Sequence, residues 1–319
     1  MPPLRRSRAR PTTSLLSIAA CSAVGLFFLS RSLNNQNLRG SLDTSSPHNH
    51  AIIDIISATS FQINSETGKI KFPKNITTVV LDVGARHSDY LSVLEKEKDD
   101  PTVALILIDP LPDSSIPLMK RVAEFSMQNW KGGESFLDQD KSNQVFLLRA
   151  AVGENEGIAN LNVAAAPACT SILQTSALNE FWCARSSGSI KVPIITFDGL
   201  LGLLPEGIKQ IHVKIDTEGA DLAVLRGASK TLQRIDTVVI ECNSDTANKT
   251  FRDDECKESH ALEYMKERNF KNAHVDRQGG LVNIFFARDD YDGPLPGYLL
   301  HGGLTFHKFY QEFATSHMN

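Results

Sequence analysis

From about residue 60 onward, continuous apolar runs alternate with segments in which apolar residues recur every three or four positions. Short apolar runs rich in β-branched residues are typical of buried strands, and the longer spacing is typical of amphipathic helices. The pattern predicts strands at 79–85, 103–108, 145–152, 158–163, 192–197, 211–215 and 237–242. It predicts helices at 89–98, 116–130, 221–234 and 261–268. Such alternation indicates an α/β domain with a mostly parallel sheet covered on both faces.

The C-terminal part of this domain ends differently. Two extended runs flank Gly279-Gly280, which is a hairpin signal, so we expect an antiparallel strand to be added to the parallel sheet.

The N-terminal region has its own pattern. Residues 1–13 are basic and predict a cytosolic tail, and the uncharged run at 14–30 predicts a transmembrane signal-anchor. Arginines before this run outnumber those after it, which favours a type II orientation with a lumenal body. The polar residues 31–59 then predict a flexible stem, and 60–319 the folded domain. A cleaved signal peptide or an organelle transit peptide is the alternative, because no acidic residue precedes Asp43.

Composition adds little about partners. The 319 residues are 41% hydrophobic and 22% charged, as in globular proteins. A formal net charge of −4 gives no reason to expect a nucleic-acid partner. Asparagine sequons begin at Asn75 and Asn248, which agrees with a lumenal body.

Four cysteines of the body fall into two similarly spaced pairs, Cys169 with Cys183 and Cys242 with Cys256. In an oxidising lumen each pair can close a loop, whereas in the cytosol all four would be reduced thiols. Spacing alone does not decide between these alternatives.

The first candidate site follows the first strand, in the stretch TTVVLDVGARHSDY. The strand carries Asp82 near its end, and Gly84 and Ala85 follow at once, which predicts a small-molecule site at the carboxyl end of the strand. A dinucleotide site would need a second glycine beside the pyrophosphate, so S-adenosylmethionine is the better ligand hypothesis. The structural alternative is that Asp82 caps the turn and Gly84 supplies a positive φ.

A second acid, Asp109, ends the next strand. There it is placed to accept hydrogen bonds from both ribose hydroxyls of a nucleoside. The alternative is a solvated loop aspartate before Pro110.

The third motif, KIDTEG, places Lys214, Asp216 and Glu218 between a strand and a helix. In an extended segment both acids would face the same side. Two carboxylates beside a lysine can orient a hydroxyl nucleophile and take its proton. The alternative is helix capping by Thr217 or Asp216.

Taken together, these motifs resemble the FkbM family of S-adenosylmethionine-dependent methyltransferases. The matching segments, in order from 79 to 242, are VVLDVGARHSDY, LILIDP, RAAVGENEGIANLNV, CTSIL, VPIITFDGLL, IHVKIDTEGADLAVLRGASKTL and VVIEC. The resemblance implies a Rossmann-like methyltransferase sheet, with O-methylation as the usual chemistry and an active-site cleft at the KIDTEG block. The cofactor-binding candidates are Asp82, Gly84, Ala85, Asp109 and Ala151.

The function predicted is transfer of a methyl group to a glycan or another hydroxyl acceptor in a lumenal compartment. Glu218 or Asp216 is the candidate base, with Lys214 holding a carboxylate or the substrate. His87 and His212 are further candidates, although His212 lies in a buried-strand pattern that favours a structural role.

Two alternatives stay open. Where the family commonly has Asn, a hydrophobe and Gly, this chain has Arg86, His87 and Ser88. A lumenal binding protein that kept the fold and lost turnover is therefore one alternative. A nicotinamide-dependent oxidoreductase is the other, and the missing second glycine disfavours it.

Overall fold

The computed structural model describes residues 63–72, 75–86, 102–111, 145–164, 169–175, 186–247, 250–251, 256–278 and 280–293. The predicted tail, anchor and stem at 1–59 lie outside these residues, as do the predicted helices at 89–98 and 116–130. Among the described helices, none has the length and hydropathy needed to cross a membrane.

The described residues form ten strands and three α-helices. The strands are β1 (Thr78–Val83), β2 (Val103–Ile108), β3 (Val145–Leu148), β4 (Ala151–Val152), β5 (Gly157–Ala164), β6 (Ser186–Ile195), β7 (Gln210–Ile215), β8 (Thr237–Asn243), β9 (Phe270–Gln278) and β10 (Leu281–Arg288). The helices are α1 (Phe197–Gly202), α2 (Asp221–Arg226) and α3 (Glu258–Lys266), and a 3₁₀ turn covers Leu232–Arg234.

Seven strands form one sheet in the order β3-β2-β1-β7-β8-β10-β9. Strand β1 is parallel to both β2 and β7, and β7 is parallel to β8. Strand β10 is antiparallel to both β8 and β9. The predicted mostly parallel sheet with a C-terminal antiparallel hairpin is therefore confirmed.

The strand order reverses at β1, and this reversal determines where a ligand can bind. From β1 the chain adds β2 and β3 on one side and later returns to place β7 on the other. In open α/β sheets a crevice forms at this switch point, outside the carboxyl ends of the strands. Every residue of β1 and β2 is buried, as continuous apolar runs predict for central strands.

One predicted strand, 145–152, is wrong as a single element. Strand β3 belongs to the large sheet, whereas β4 belongs to a second sheet of order β4-β6-β5. Between them the chain turns tightly, with the amide of Ala150 donating to the carbonyl of Leu148. The same carbonyl also accepts a hydrogen bond from the amide of Asp109, at the end of the neighbouring strand β2. A continuous apolar pattern contains no sign of this change of sheet.

The predicted helix at 221–234 is also shorter than expected. Helix α2 ends at Arg226, and the chain resumes helical form only in the 3₁₀ turn. Asp198 stabilises the break, since its carboxylate accepts hydrogen bonds from the amides of Lys230 and Thr231 at 3.0 and 2.9 Å. The predicted strand at 192–197 likewise ends at Ile195, because Thr196 caps helix α1.

Two of the cysteine predictions can be followed in the described residues. Cys242 and Cys256 form a disulfide, which confirms that pairing. Cys169 is also disulfide-bonded, and its predicted partner Cys183 lies outside the described residues. Asn75, the first sequon asparagine, is exposed in the turn before β1.

Candidate functional site

A cavity of about 370 Å³ opens at the carboxyl ends of β1, β2 and β7, at the switch point of the sheet. This volume lies within the range of about 300–1,000 Å³ that is typical of small-molecule sites. The lining comes from residues 82–86, 108–111, 150–152, 161, 170–172, 214, 216–218 and 220. The structure therefore brings together every predicted site residue, namely Asp82, Gly84, Ala85, Asp109, Ala151, Lys214, Asp216 and Glu218.

Gly84 lies where the loop after β1 packs against the loop after β7. Its φ is +83°, and a Cβ at this position would lie 1.8 Å from the carbonyl oxygen of Asp216. The amides of Gly84 and Ala85 both donate to the carbonyl of Ile108, at 2.9 and 3.1 Å. Only glycine allows this close approach, so Gly84 has a structural role while it also lines the cavity.

Lys214 lies between two of the predicted acids. Its Nζ is 3.1 Å from Asp216 Oδ2 and 3.9 Å from Asp82 Oδ1. Strands β1 and β7 are in register at this pair, with Asp82 opposite Lys214. The Asp82 side chain is fully buried at the edge of the sheet. The positive charge of Lys214 partly neutralises the Asp82 carboxylate there.

Asp109 is buried, with 3% of its surface exposed, so the alternative of a solvated loop aspartate is wrong. Its Oδ1 accepts a hydrogen bond from the amide of Leu111 at 2.8 Å. Burial raises the pKa of Asp109 to about 6, against the opposing effects of the Leu111 amide and the Arg86 charge. Asp109 thus presents an acceptor group in a water-poor part of the cavity.

Glu218 reaches the cavity through a turn, not through an extended segment, so that part of the prediction is wrong. Glu218 and Gly219 have left-handed φ values of +55° and +95°. The turn forms because the carboxylate of Asp221 accepts hydrogen bonds from the amides of Thr217 and Gly219, at 2.8 and 3.0 Å. A non-glycine residue in this conformation is uncommon and is found preferentially at functional sites.

The capping alternative for this motif is wrong as well. The N-cap of helix α2 is Ala220, which has no side chain able to cap. Neither Asp216 nor Thr217 caps the helix; both line the cavity.

The acids around Glu218 strongly affect its protonation. Burial, with added repulsion from Asp216, Glu241 and Asp221, raises the pKa of Glu218 to about 8, while Arg86 opposes the shift. Burial also raises the pKa of Asp221 and of Glu241 to about 7 each. At neutral pH this part of the site therefore holds protons that ordinary carboxylates would release.

Sequence reasoning missed two residues of this environment, Asp221 and Glu241. From the sequence, Asp221 is expected to be an ordinary acidic residue in the first turn of a helix. Glu241 is expected to point outward from a strand. Within the apolar run of β8, the charge of Glu241 was the available signal. Arg86 was noted only as a departure from the family pattern, although it lines the cavity and acts electrostatically on Asp109 and Glu218.

The two histidine candidates have different outcomes. His212 is fully buried in β7, its Nδ1 lies 2.8 Å from Thr237 Oγ1, and it does not line the cavity. Burial lowers the pKa of His212 to about 3, so it stays neutral, in agreement with the structural interpretation. His87 lies outside the described residues.

A family model described as "Methyltransferase FkbM domain" matches residues 82–271, more than half of the chain. The chain belongs to the FkbM methyltransferase family. The match includes all the predicted site residues and confirms the resemblance found in the sequence. Membership of this family supports S-adenosylmethionine as the cofactor of the FkbM domain. Comparison with curated proteins found no match.

Three of the solved structures to which the chain is similar are methyltransferases of low sequence identity. The FkbM methyltransferase of Methylobacillus flagellatus KT is 11% identical at a TM-score of 0.40, over 70% of this chain and 46% of that protein. TrmK of M. capricolum, in complex with S-adenosylhomocysteine, is 12% identical at 0.34, over 70% and 68%. A SAM-dependent methyltransferase of Aquifex aeolicus is 10% identical at 0.34, over 67% and 84%. The chain thus spans under half of the M. flagellatus protein.

Proposed function

We propose that this FkbM domain transfers a methyl group from S-adenosylmethionine to the hydroxyl oxygen of an acceptor. The observation that supports the proposal is the convergence of acids from three neighbouring strands on one cavity. Asp82 belongs to β1, Asp109 follows β2, and Asp216 and Glu218 follow β7.

The residues of the cavity suit the chemistry of the cofactor. The carboxylate of Asp109 is an acceptor for ribose hydroxyls, and the apolar side chains of Leu111, Leu161 and Ile172 offer a surface for the adenine. The acids near Lys214 favour a positively charged sulfonium group. When bound, the cofactor supplies an activated methyl group, and the protein supplies position and electrostatics.

Glu218 is the proposed general base. The raised pKa of Glu218 makes its ionised form a stronger base. It also brings this pKa close to the working pH, where general-base catalysis is most efficient. In the proposed reaction, Glu218 would accept the proton of the acceptor hydroxyl, and the bound cofactor would supply the methyl group to the oxygen and leave as S-adenosylhomocysteine. Lys214 holds the carboxylate of Asp216 beside this site, and Asp216 is the second candidate for the base.

A lumenal body with a glycan or other hydroxyl acceptor is the proposed setting. The Cys242–Cys256 disulfide supports an oxidising compartment, and the exposed Asn75 agrees with it. The basic tail and uncharged run at the N-terminus support a type II membrane anchor.

Arg86 favours one alternative, a binding protein without turnover. Arg86 lines the same cavity, at a position where the family commonly has asparagine. A cation at this place opposes a sulfonium cation and favours the uncharged demethylated product as a ligand.

Two measurements on the full-length protein test these proposals. Calorimetry with S-adenosylmethionine should show saturable binding, and Asp109→Ala should abolish it, whereas the exposed Asp289→Ala serves as the control and should bind as the wild type does. Micromolar affinity retained by Asp109→Ala would refute the ribose assignment. Labelled methyl groups should appear in a glycan extract; saturable binding without transfer would favour the alternative.

A further inference from the structure

The turn that carries Glu218 is covered by a segment from beyond β8. Phe251 is 2% exposed and packs on Gly219, where a Cβ would lie 2.6 Å from the Phe251 ring. Leu173 approaches the same position at 3.4 Å. The ring therefore closes over the backbone of the turn on the side of Gly219.

Cys256 fastens the same turn by its backbone. Its amide donates a hydrogen bond to the carbonyl of Gly219 at 2.9 Å, and its own carbonyl accepts one from the amide of Asn243 at 2.9 Å. The disulfide to Cys242 then ties Cys256 to β8, the strand next to β7. A covalent link and two hydrogen bonds thus connect the turn to the sheet.

Glu218 needs such support because of its own conformation. A non-glycine residue with a left-handed backbone persists where the surrounding structure holds it. Helix α2 offers limited support, since it has six residues and no side-chain cap. Asp221 orders the turn from within, through the amides of Thr217 and Gly219.

We infer that Phe251 and the Cys242–Cys256 disulfide are positioning residues that hold the carboxyl group of Glu218 in the cavity. The inference rests on the proposed function in one respect, the role of Glu218 as the base. Its structural part, the support of the turn, does not depend on catalysis.

Without this support, Glu218, which is now partly exposed, should become more accessible to water. The charged groups that act on it are Asp216, Glu241, Asp221 and Arg86, from β1, β7, β8, α2 and the loops between them. Loss of burial, which is the largest cause of its raised pKa, should move that pKa toward the ordinary value of 4.5. The acidic limb of the pH–rate profile should therefore shift to lower pH.

Hydrogen exchange of the full-length protein tests the structural part. In the double variant Cys242→Ala/Cys256→Ala and in Phe251→Leu, the amides of Thr217 and Gly219 should exchange about tenfold faster or more. The matched control is Phe285→Leu, which removes an equally buried ring on β10 and should leave these amides unchanged at equal global stability. If the double variant does not fold, Phe251→Leu decides. The double variant and Phe251→Leu are called the brace variants below; if both amides exchange in them at the wild-type rate, the inference is overturned.

Kinetics then test the catalytic part. The brace variants should lose kcat by about tenfold, with the acidic limb shifted to lower pH, while the affinity for S-adenosylhomocysteine changes by less than threefold. An unshifted profile in variants with a loosened turn would overturn the positioning role. If the wild type transfers no methyl group at all, the proposed function fails, and hydrogen exchange still decides whether the turn is supported as inferred.

Discussion

The two ends of the strand pair β7–β8 carry the same kinds of residue in different surroundings. At the amino end, Asp236 accepts a hydrogen bond from the amide of Ile211 at 2.8 Å and pairs with Arg288 at 3.1 Å. At the carboxyl end, Asp216 and Glu218 follow β7, close to Glu241 of β8, and act electrostatically on one another.

The difference lies in how the charges are balanced. Arg288 also pairs with Asp290 at 2.5 Å and donates to the carbonyls of Gln233 and Ile235. At the amino end one guanidinium therefore matches both carboxylates and joins the last strand to the loop before β8. At the carboxyl end, Lys214 lies among several carboxylates, and the pKa of Glu218 rises to about 8. A matched cluster stabilises a sheet, whereas an unbalanced one beside a cavity can bind a cation and move a proton.

Removing one acid from each end should give the largest contrast. Glu218→Gln should reduce the rate of methyl transfer by about 10²–10⁴-fold, the usual contribution of a general base, with little loss of affinity for S-adenosylhomocysteine. Asp236→Asn should keep the rate and reduce the free energy of unfolding by about 1–3 kcal/mol, because the ion pair to Arg288 is lost. Rate assays and denaturant unfolding measure both. Equal losses of rate in the two variants would remove the distinction between the ends.

A second prediction concerns the contact between the β1 and β7 loops. Gly84→Ala should destabilise the protein by about 2–4 kcal/mol, since it combines an unfavourable backbone conformation with a clash at the Asp216 carbonyl. It should also weaken cofactor binding, because both loops line the cavity. Thermal unfolding and calorimetry are the measurements. In the control, Gly207→Ala, the added Cβ meets no atom within 4 Å, so the free energy of unfolding should hardly change.

A third prediction concerns the dependence of stability on pH. The folded pKa of His212 is about 3 against an ordinary 6.5, so the unfolded chain binds its proton first and stability is lost as pH falls below 6.5. The folded pKa of Glu218 is about 8 against 4.5, so stability is lost as pH rises from 4.5 to 8. In urea unfolding across this range, His212→Gln should flatten the acidic slope and Glu218→Gln the other. The same slope in variant and wild type would show that the group does not contribute.

Sequence reasoning located the strands and the edge at which the acids meet. Apolar runs identify β1 and β2, and parallel strands bring their carboxyl ends to one edge, so Asp82, Asp109 and Asp216 could be grouped in advance. Long-range contacts determined the rest. The change of sheet after β3 involves a tight turn, with a hydrogen bond from the amide of Ala150 to the carbonyl of Leu148, which apolar periodicity does not encode.

Backbone conformation was the other source of error at the site. An extended segment was expected at Glu218. Instead the chain turns, because the carboxylate of Asp221 accepts a hydrogen bond from the amide of Thr217, four residues earlier. The hydrogen bond from Cys256 to Gly219 joins residues far apart in sequence, and spacing gave no indication of it. Both errors concern the local geometry of a functional turn, where ordinary propensities are least informative.

The most direct test of the central claim is a crystal structure of the full-length protein with S-adenosylhomocysteine. We expect the ribose hydroxyls to lie on the carboxylate of Asp109, and the sulfur to lie at the carboxyl end of β7, facing Glu218. A ligand bound on another surface, or a nucleoside excluded from the cavity by the side chain of Arg86, would contradict it.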